Sequence, residues 1–260
     1  MIRCEYIHEG EFEFEAGGSV SALKVVYHRS EREWRSGDDR KVIWICHALT
    51  ANSDAEDWWP ELVGPGKLFD TEKYFVVCAN MLGSAYGSSG PATVNPATGL
   101  PYYFDFPAVT VRDIVRANDL VRRHLGIEHI DFMVGGSIGG FQSVEWSIME
   151  PEVIKKAVYI ACGARVTPWL TAYNESMKMA LETDPTFREC ASLKAARMAS
   201  DALEALHSSH TEATRDTMRR SGKRKRTACL PTGRDHTRDT RARSSRTDSM
   251  PTHTTISAVQ

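Results

Sequence analysis

The chain lacks several features that would each have set its class at once. No stretch approaches the ~18 apolar residues of a membrane span, and the first residues, MIRCEYIHEGEFEFE, contain no apolar block of the kind that drives secretion. None of the six cysteines, Cys4, Cys46, Cys78, Cys162, Cys190 and Cys229, stands in a Cys-x-x-Cys pair. A disulfide scaffold or a zinc site is therefore not expected, nor is any other metal; a soluble, cytoplasmic protein is.

A further lack is local. Between Leu206 and Gln260 there is no Phe, Trp or Tyr, although the first 205 residues hold all 23. The same 55 residues carry 12 Lys and Arg against 5 Asp and Glu, so in a chain of net charge −2 the first 205 residues carry −9. An acidic part that can build a core, residues 1–205, is thus joined to a basic, Thr/Ser/Arg-rich part, residues 206–260, that cannot. Within the latter, Arg219 to Arg226 (RRSGKRKR) would attract nucleic acid. Nucleic-acid binding is the non-enzymatic reading, and it is the less favoured one.

What is present follows an alternating plan. Glu11 to Glu15 alternates charge with Phe and turns through Gly17-Gly18 into Val20 to His28, which reads as an opening hairpin. Lys41 to Cys46 (KVIWIC), Tyr74 to Ala79 (YFVVCA), Ile130 to Val134 and Ala157 to Ala161 (AVYIA) are short apolar runs, as expected of strands buried on both faces of a mainly parallel sheet. Val111 to Leu125 has helical spacing, and Pro151 is placed to end a second helix over Phe141 to Glu150. Strands alternating with helices imply βαβ units and an α/β fold. The Met81 to Pro107 loop is long and rich in Gly, Ser and Pro, a length often tied to function.

The chemistry concentrates at DFMVGGSIGG, Asp131 to Gly140. Ser137 stands in a Gly-x-Ser-x-Gly frame made by Gly135 and Gly139, flanked by Gly136 and Gly140, with a strand before and a helix after. That order is the nucleophile elbow of the α/β-hydrolase fold, and it proposes acyl transfer through a serine ester. A dinucleotide loop is the weaker reading, because Gly-x-Gly-x-x-Gly is absent. The oxyanion would take one amide from Ile138, at the start of the helix. The second should come from the loop that follows KVIWIC. His47 in that loop is read as structural, since in this fold the base follows the serine in chain order. Asp105 and Asp113 fail as the triad acid for the same reason. Arg112 and Arg116 share a helix face. A place near the acyl donor is one reading for them, and ordinary solvated or structural arginines the favoured one.

Four motifs in order carry a family resemblance: ICHALTANSDA (Ile45 to Ala55), NMLGSAYGSSGP (Asn80 to Pro91), FPAVTVRDIVR (Phe106 to Arg116) and VGGSIGGFQSVEW (Val134 to Trp146). Together they resemble homoserine O-acetyltransferase, an α/β-hydrolase-fold acyltransferase, over about residues 4–205. The resemblance implies that Ser137 takes an acetyl group from acetyl-CoA, a co-substrate rather than a bound cofactor. It passes the group to L-homoserine in methionine biosynthesis, with the Leu49 and Ile138 amides holding the oxyanion. Succinyl transfer, serine as acceptor, and an esterase of the same fold are the neighbouring alternatives. The complete family member is expected to be a homodimer.

The resemblance stops near Ala205. Family members carry their catalytic Asp and His well beyond the elbow, and here neither is present in recognisable form. His207, His210, His236 and His253 lie in coreless sequence that offers an imidazole no rigid support. Back-translated and read two bases later, however, Leu206 to Arg220 admits ALISYRSYERYDETQ, and Asp235 to Val259 admits SYQRYQGKKLADRFDAYTYYYLSRA. Both strings resemble the segments that follow in the family, in the right order. The Ala codon formed from Met250 and Pro251 is forced, with no free base. The expectation is an α/β-hydrolase fold left incomplete at its C-terminal side by a slip of reading frame near codon 205, and an inactive chain.

Overall fold

The computed structural model describes residues 1–183, Ser36 excepted. The boundary expected at Ala205, the basic segment and its four histidines all lie outside the described residues.

The sheet follows from the apolar runs. Its strands are β1 (Ile2–Ile7), β4 (Lys24–Arg29), β5 (Val42–Cys46), β6 (Phe75–Ala79), β7 (Phe132–Gly136) and β8 (Ala157–Ile160), in the spatial order β1-β4-β6-β5-β7-β8. β1 and β4 pair antiparallel, as do β4 and β6; β6, β5, β7 and β8 run parallel. A separate two-stranded ribbon joins β2 (Glu11–Glu13) to β3 (Ser19–Ser21). The helices are α1 (Ala55–Trp58), α2 (Val111–His124), α3 (Ile138–Met149) and α4 (Pro168–Glu182).

Every residue of β5 and β6 is buried, and the period-two alternation of a strand divides their side chains between two cores. Val42, Trp44 and Cys46 face a cluster that includes Phe12, Ile114, Val115, Val121 and Trp146. Ile43 and Ile45 face another with Ala55, Val63, Phe69 and Val134. In the first cluster Trp44 and Trp146 meet edge to face, ring centroids 5.1 Å apart, an arrangement that adds about 1 kcal/mol to what their burial supplies. α2 begins at a capping box: the Thr110 hydroxyl accepts from the Asp113 amide, and the Asp113 carboxylate accepts from the Thr110 amide.

Four expectations are corrected. Ile2–Ile7 was not read as a strand and forms the sheet's first edge. The single run from Val20 to His28 is divided between two sheets by Ala22, which takes a left-handed φ of 53°. Ile130 contributes only an isolated bridge to Ile154, and β7 proper starts at Phe132. α3 also begins earlier than Phe141, immediately after Ser137.

β8 departs from the pattern of its neighbours. Val158, Tyr159 and Ile160 are 40%, 45% and 41% exposed, where β5 offers nothing to solvent.

Candidate active site

At the end of β7 the chain makes the turn that the glycines permit. Ser137 sits at φ 55°, ψ −121°, a conformation that non-glycine residues enter only under constraint, at about 1–3 kcal/mol. The constraints are visible. The Ser137 amide donates to the Ile160 carbonyl of β8 at 2.9 Å, and the Ser137 carbonyl accepts from the amides of Gly140 and Phe141 at 2.9 and 3.2 Å. The side chain is left exposed at the head of α3, and among the described residues none hydrogen-bonds its hydroxyl.

Each elbow glycine is not equally obliged. A methyl at Gly135 would overlap the Gly139 carbonyl and Ser143 Oγ, and one at Gly139 would overlap the carbonyls of Cys46 and His47. A methyl at Gly140 would press on the Cys162 sulfur, whereas Gly136 faces open space. The contact of Gly139 with Cys46 and His47 lays the first turn of α3 directly on the end of β5. The pairing of Cys46 with Gly135 fixes the same juxtaposition from the sheet side.

That contact brings the loop after β5 to the elbow. His47 is fully buried; its Nδ1 lies 2.8 Å from the Ala48 carbonyl, and its Nε2 accepts from the Met81 amide at 3.3 Å. Burial holds its pKa below the usual histidine value, opposed in part by the bond to Ala48. With both nitrogens occupied and no route to solvent, His47 is structural, as its place in the chain order indicates. Two further bonds tie the loop to the segment after β6. Asn80 Oδ1 accepts from the Ser53 amide at 2.7 Å, and Asn80 Nδ2 donates to the Tyr86 carbonyl at 2.9 Å. Among the described residues the Leu49 amide donates to no acceptor. The Ile138 amide, in the first turn of α3, has no partner within the helix. Cys46, the nearest thiol on β5, is no rival nucleophile: burial pushes it up to about 12, although the Ser143 hydroxyl pulls in the other direction.

Arg112 and Arg116 turn elsewhere. Arg112 pairs with Glu15 at 2.5 Å and with Glu145 at 2.7 Å. Arg116 donates to the Glu13 carbonyl at 2.8 Å and to Asp113 at 3.3 Å, and its guanidinium lies 4.7 Å from the Phe12 ring centroid. The geometry therefore gives both the structural work of fastening the β2–β3 ribbon to α2. Asp113 is fully buried in the cap of α2, and Asp105 is exposed in the short 3-10 turn Tyr103–Asp105.

Two concavities among the described residues lie away from the serine. One of about 380 Å³ opens between the ribbon, α2 and α3, lined by Phe12, Arg116, Trp146 and Glu150. Another of about 420 Å³ is lined by Lys41, Ile43, Phe69, Asp131 and Phe132, at the N-terminal ends of β5 and β7. In sheets of this kind ligands bind at the carboxyl ends of the strands, where Ser137 stands, so the elbow and not the larger hollow is the candidate site.

A mainly parallel sheet and a strained serine between its strand and the following helix define the class. The chain belongs to the alpha/beta hydrolase fold family, whose model matches residues 41–256. Within that family it is similar to homoserine O-acetyltransferases: it is 47% identical to that of Cyclobacterium marinum over 146 residues, 56% of this chain and 42% of the relative. The solved homoserine O-acetyltransferase of Bacillus anthracis superposes with a TM-score of 0.63 at 28% identity, over 72% of this chain and 54% of that one. An acetylester hydrolase from Corynebacterium glutamicum superposes with a TM-score of 0.68 at 25% identity, over 80% and 58%. The chain spans about half the length of the curated relatives it matches. No helix among the described residues is long and apolar enough to cross a membrane.

Proposed function

We propose that the gene encodes an acyl-CoA-dependent homoserine O-acetyltransferase of methionine biosynthesis, a cytoplasmic homodimer when complete. The observation that carries this is the strained, exposed Ser137 beside a bonded loop whose Leu49 amide has no acceptor among the described residues. In the first half-reaction Ser137 Oγ attacks the thioester carbonyl of acetyl-CoA, and the Leu49 and Ile138 amides receive the oxyanion. The carbon–sulfur bond then breaks, and the serine proton leaves with CoA by way of a base. In the second, the homoserine hydroxyl attacks the acetyl-serine and releases the enzyme. A base and its orienting carboxylate are required at both stages. By the resemblance they belong to the part of the family sequence that residues 206–260 do not reproduce in the present frame.

The chain of 260 residues is accordingly the inactive product of a frame slip near codon 205. Sequencing the coding DNA across codons 200 to 210 tests the slip: third positions incompatible with the two alternative-frame strings would sink it. The chemistry is tested on the frame-restored protein. Mixed with acetyl-CoA alone, it should release one CoA per active site in a burst and turn over only when homoserine is added; absence of any CoA release would count decisively against the proposal.

A second reading, an acetyl esterase, is favoured by the equally close superposition on the acetylester hydrolase. Hydrolysis of acetyl esters that is indifferent to homoserine would select it.

A further inference from the structure

We infer that His47 is the positioning residue of the oxyanion site, holding the Ala48–Leu49 peptide so that the Leu49 amide faces the acyl oxygen bound at Ser137. This rests on the reading of Ser137 as nucleophile, though not on homoserine as acceptor.

The hydrogen bonds determine the tautomer. A backbone amide can only donate, so the bond from Met81 requires Nε2 of His47 to be unprotonated. The proton of the neutral ring is then on Nδ1, which donates to the Ala48 carbonyl. That carbonyl also accepts from the Ala51 amide at 3.0 Å, so both of its lone-pair directions are taken. The peptide unit is planar and trans, and its C=O and the following N–H point in opposite directions. Fixing the Ala48 oxygen from two sides therefore fixes the direction of the Leu49 N–H, which has no acceptor among the described residues. The ring is itself fixed at its far side by Met81, the residue that opens the long loop after β6. An oxyanion donor is effective in proportion to its prior orientation, and His47 supplies that orientation without touching the substrate.

Two substitutions separate the ring's halves. Asn at this position places an amide N–H where Nδ1 stands and keeps the bond to Ala48. Gln reaches to the Nε2 position and keeps the bond to Met81 but not the one to Ala48. Both are polar and shorter than or similar to histidine in volume, so a role in packing alone would penalise them alike. The frame-restored protein, the wild type of this comparison, is tested at nanomolar concentration with a fluorescent fluorophosphonate. Ser137 Oγ attacks phosphorus, the O–P bond forms, the P–F bond breaks, and the serine proton and fluoride leave to solvent. Negative charge grows on the phosphoryl oxygen, which occupies the oxyanion site. Labelling is scored against Ser137→Ala, with folding of each variant checked by circular dichroism.

The expected result is that His47→Asn labels at close to the wild-type rate. His47→Gln and His47→Ala should fall by about tenfold or more, short of the ~10²–10³ for outright loss of an oxyanion donor. Equal rates for His47→Asn and His47→Gln, with wild type labelled normally, would overturn the positioning role and leave Ser137 as nucleophile. Wild-type labelling no faster than Ser137→Ala would overturn both.

Discussion

The two flanks of the Ser137 elbow are built to different standards. On one side stands β5, buried along its whole length, with a following loop fastened by His47, Asn80 and Ser53. On the other stands β8, whose sequence, AVYI, is that of an interior parallel strand and whose position among the described residues is an edge. The opposite edge of the sheet shows what a finished border looks like: β1 is antiparallel and carries Arg3 and Glu5, charged side chains of the kind that discourage further pairing. β8 carries no charged residue. Half of the site is thus preorganised, and the half from which the base and acid would come is bounded by an apolar strand open to water.

The largest test of this contrast is to restore what should lie beyond β8. The frame-restored protein is expected to exceed the 260-residue chain by ~10⁴-fold or more in CoA release with homoserine, the scale on which a triad's loss is felt. Comparable turnover by the two would abolish the comparison. On the finished flank, Gly139→Ala should destabilise the fold by about 3 kcal/mol in urea melts, because the methyl meets the Cys46 and His47 backbone and has nowhere to go.

A smaller effect depends on pH. The His47 pKa is lowered in the fold, so the unfolded chain takes up the proton first as pH falls below about 6.5. Stability is then unaffected above that value and declines below it, by at most about 1.4 kcal/mol per pH unit until the folded ring itself protonates. Urea melts at pH 7.5, 6.5 and 5.5 should show the decline, and His47→Asn should reduce it to the part that His28, also lowered by burial, contributes. The smallest effect belongs to the unfinished flank. Val158→Lys should change the stability of the 260-residue chain by no more than about 0.5 kcal/mol while reducing its light scattering. In the frame-restored protein the same lysine should be buried and cost about 3 kcal/mol; similar costs in both chains would show that nothing covers β8.

Much of this was legible in the sequence because its signals are local. Glycines around a serine, uninterrupted apolar runs and the helical spacing of Val111 to Leu125 each act within a few residues, and each predicts its element. What was missed depends on distance or on compromise. IRCEYI mixes charge with apolar residues because it is an edge strand, so it carries no continuous run to detect. Ala22 breaks a strand in a conformation for which alanine gives no warning. The partners that give Arg112 its structural role, Glu15 and Glu145, are 97 and 33 residues away. The bond that fixes His47 comes from Met81, 34 residues further on. No spacing rule foretells either.

The backbone of Ser137 has a consequence for how the gene would drift once its product is idle. Glycine would sit at φ 55° without the steric conflict that serine bears there. Ser137→Gly should therefore be tolerated or slightly favoured by the fold, even as it removes the only atom able to carry the acyl group. In an active enzyme, selection on catalysis holds that serine against the preference of the chain. In a product without its base, only the preference remains, and the nucleophile becomes one of the positions most readily surrendered.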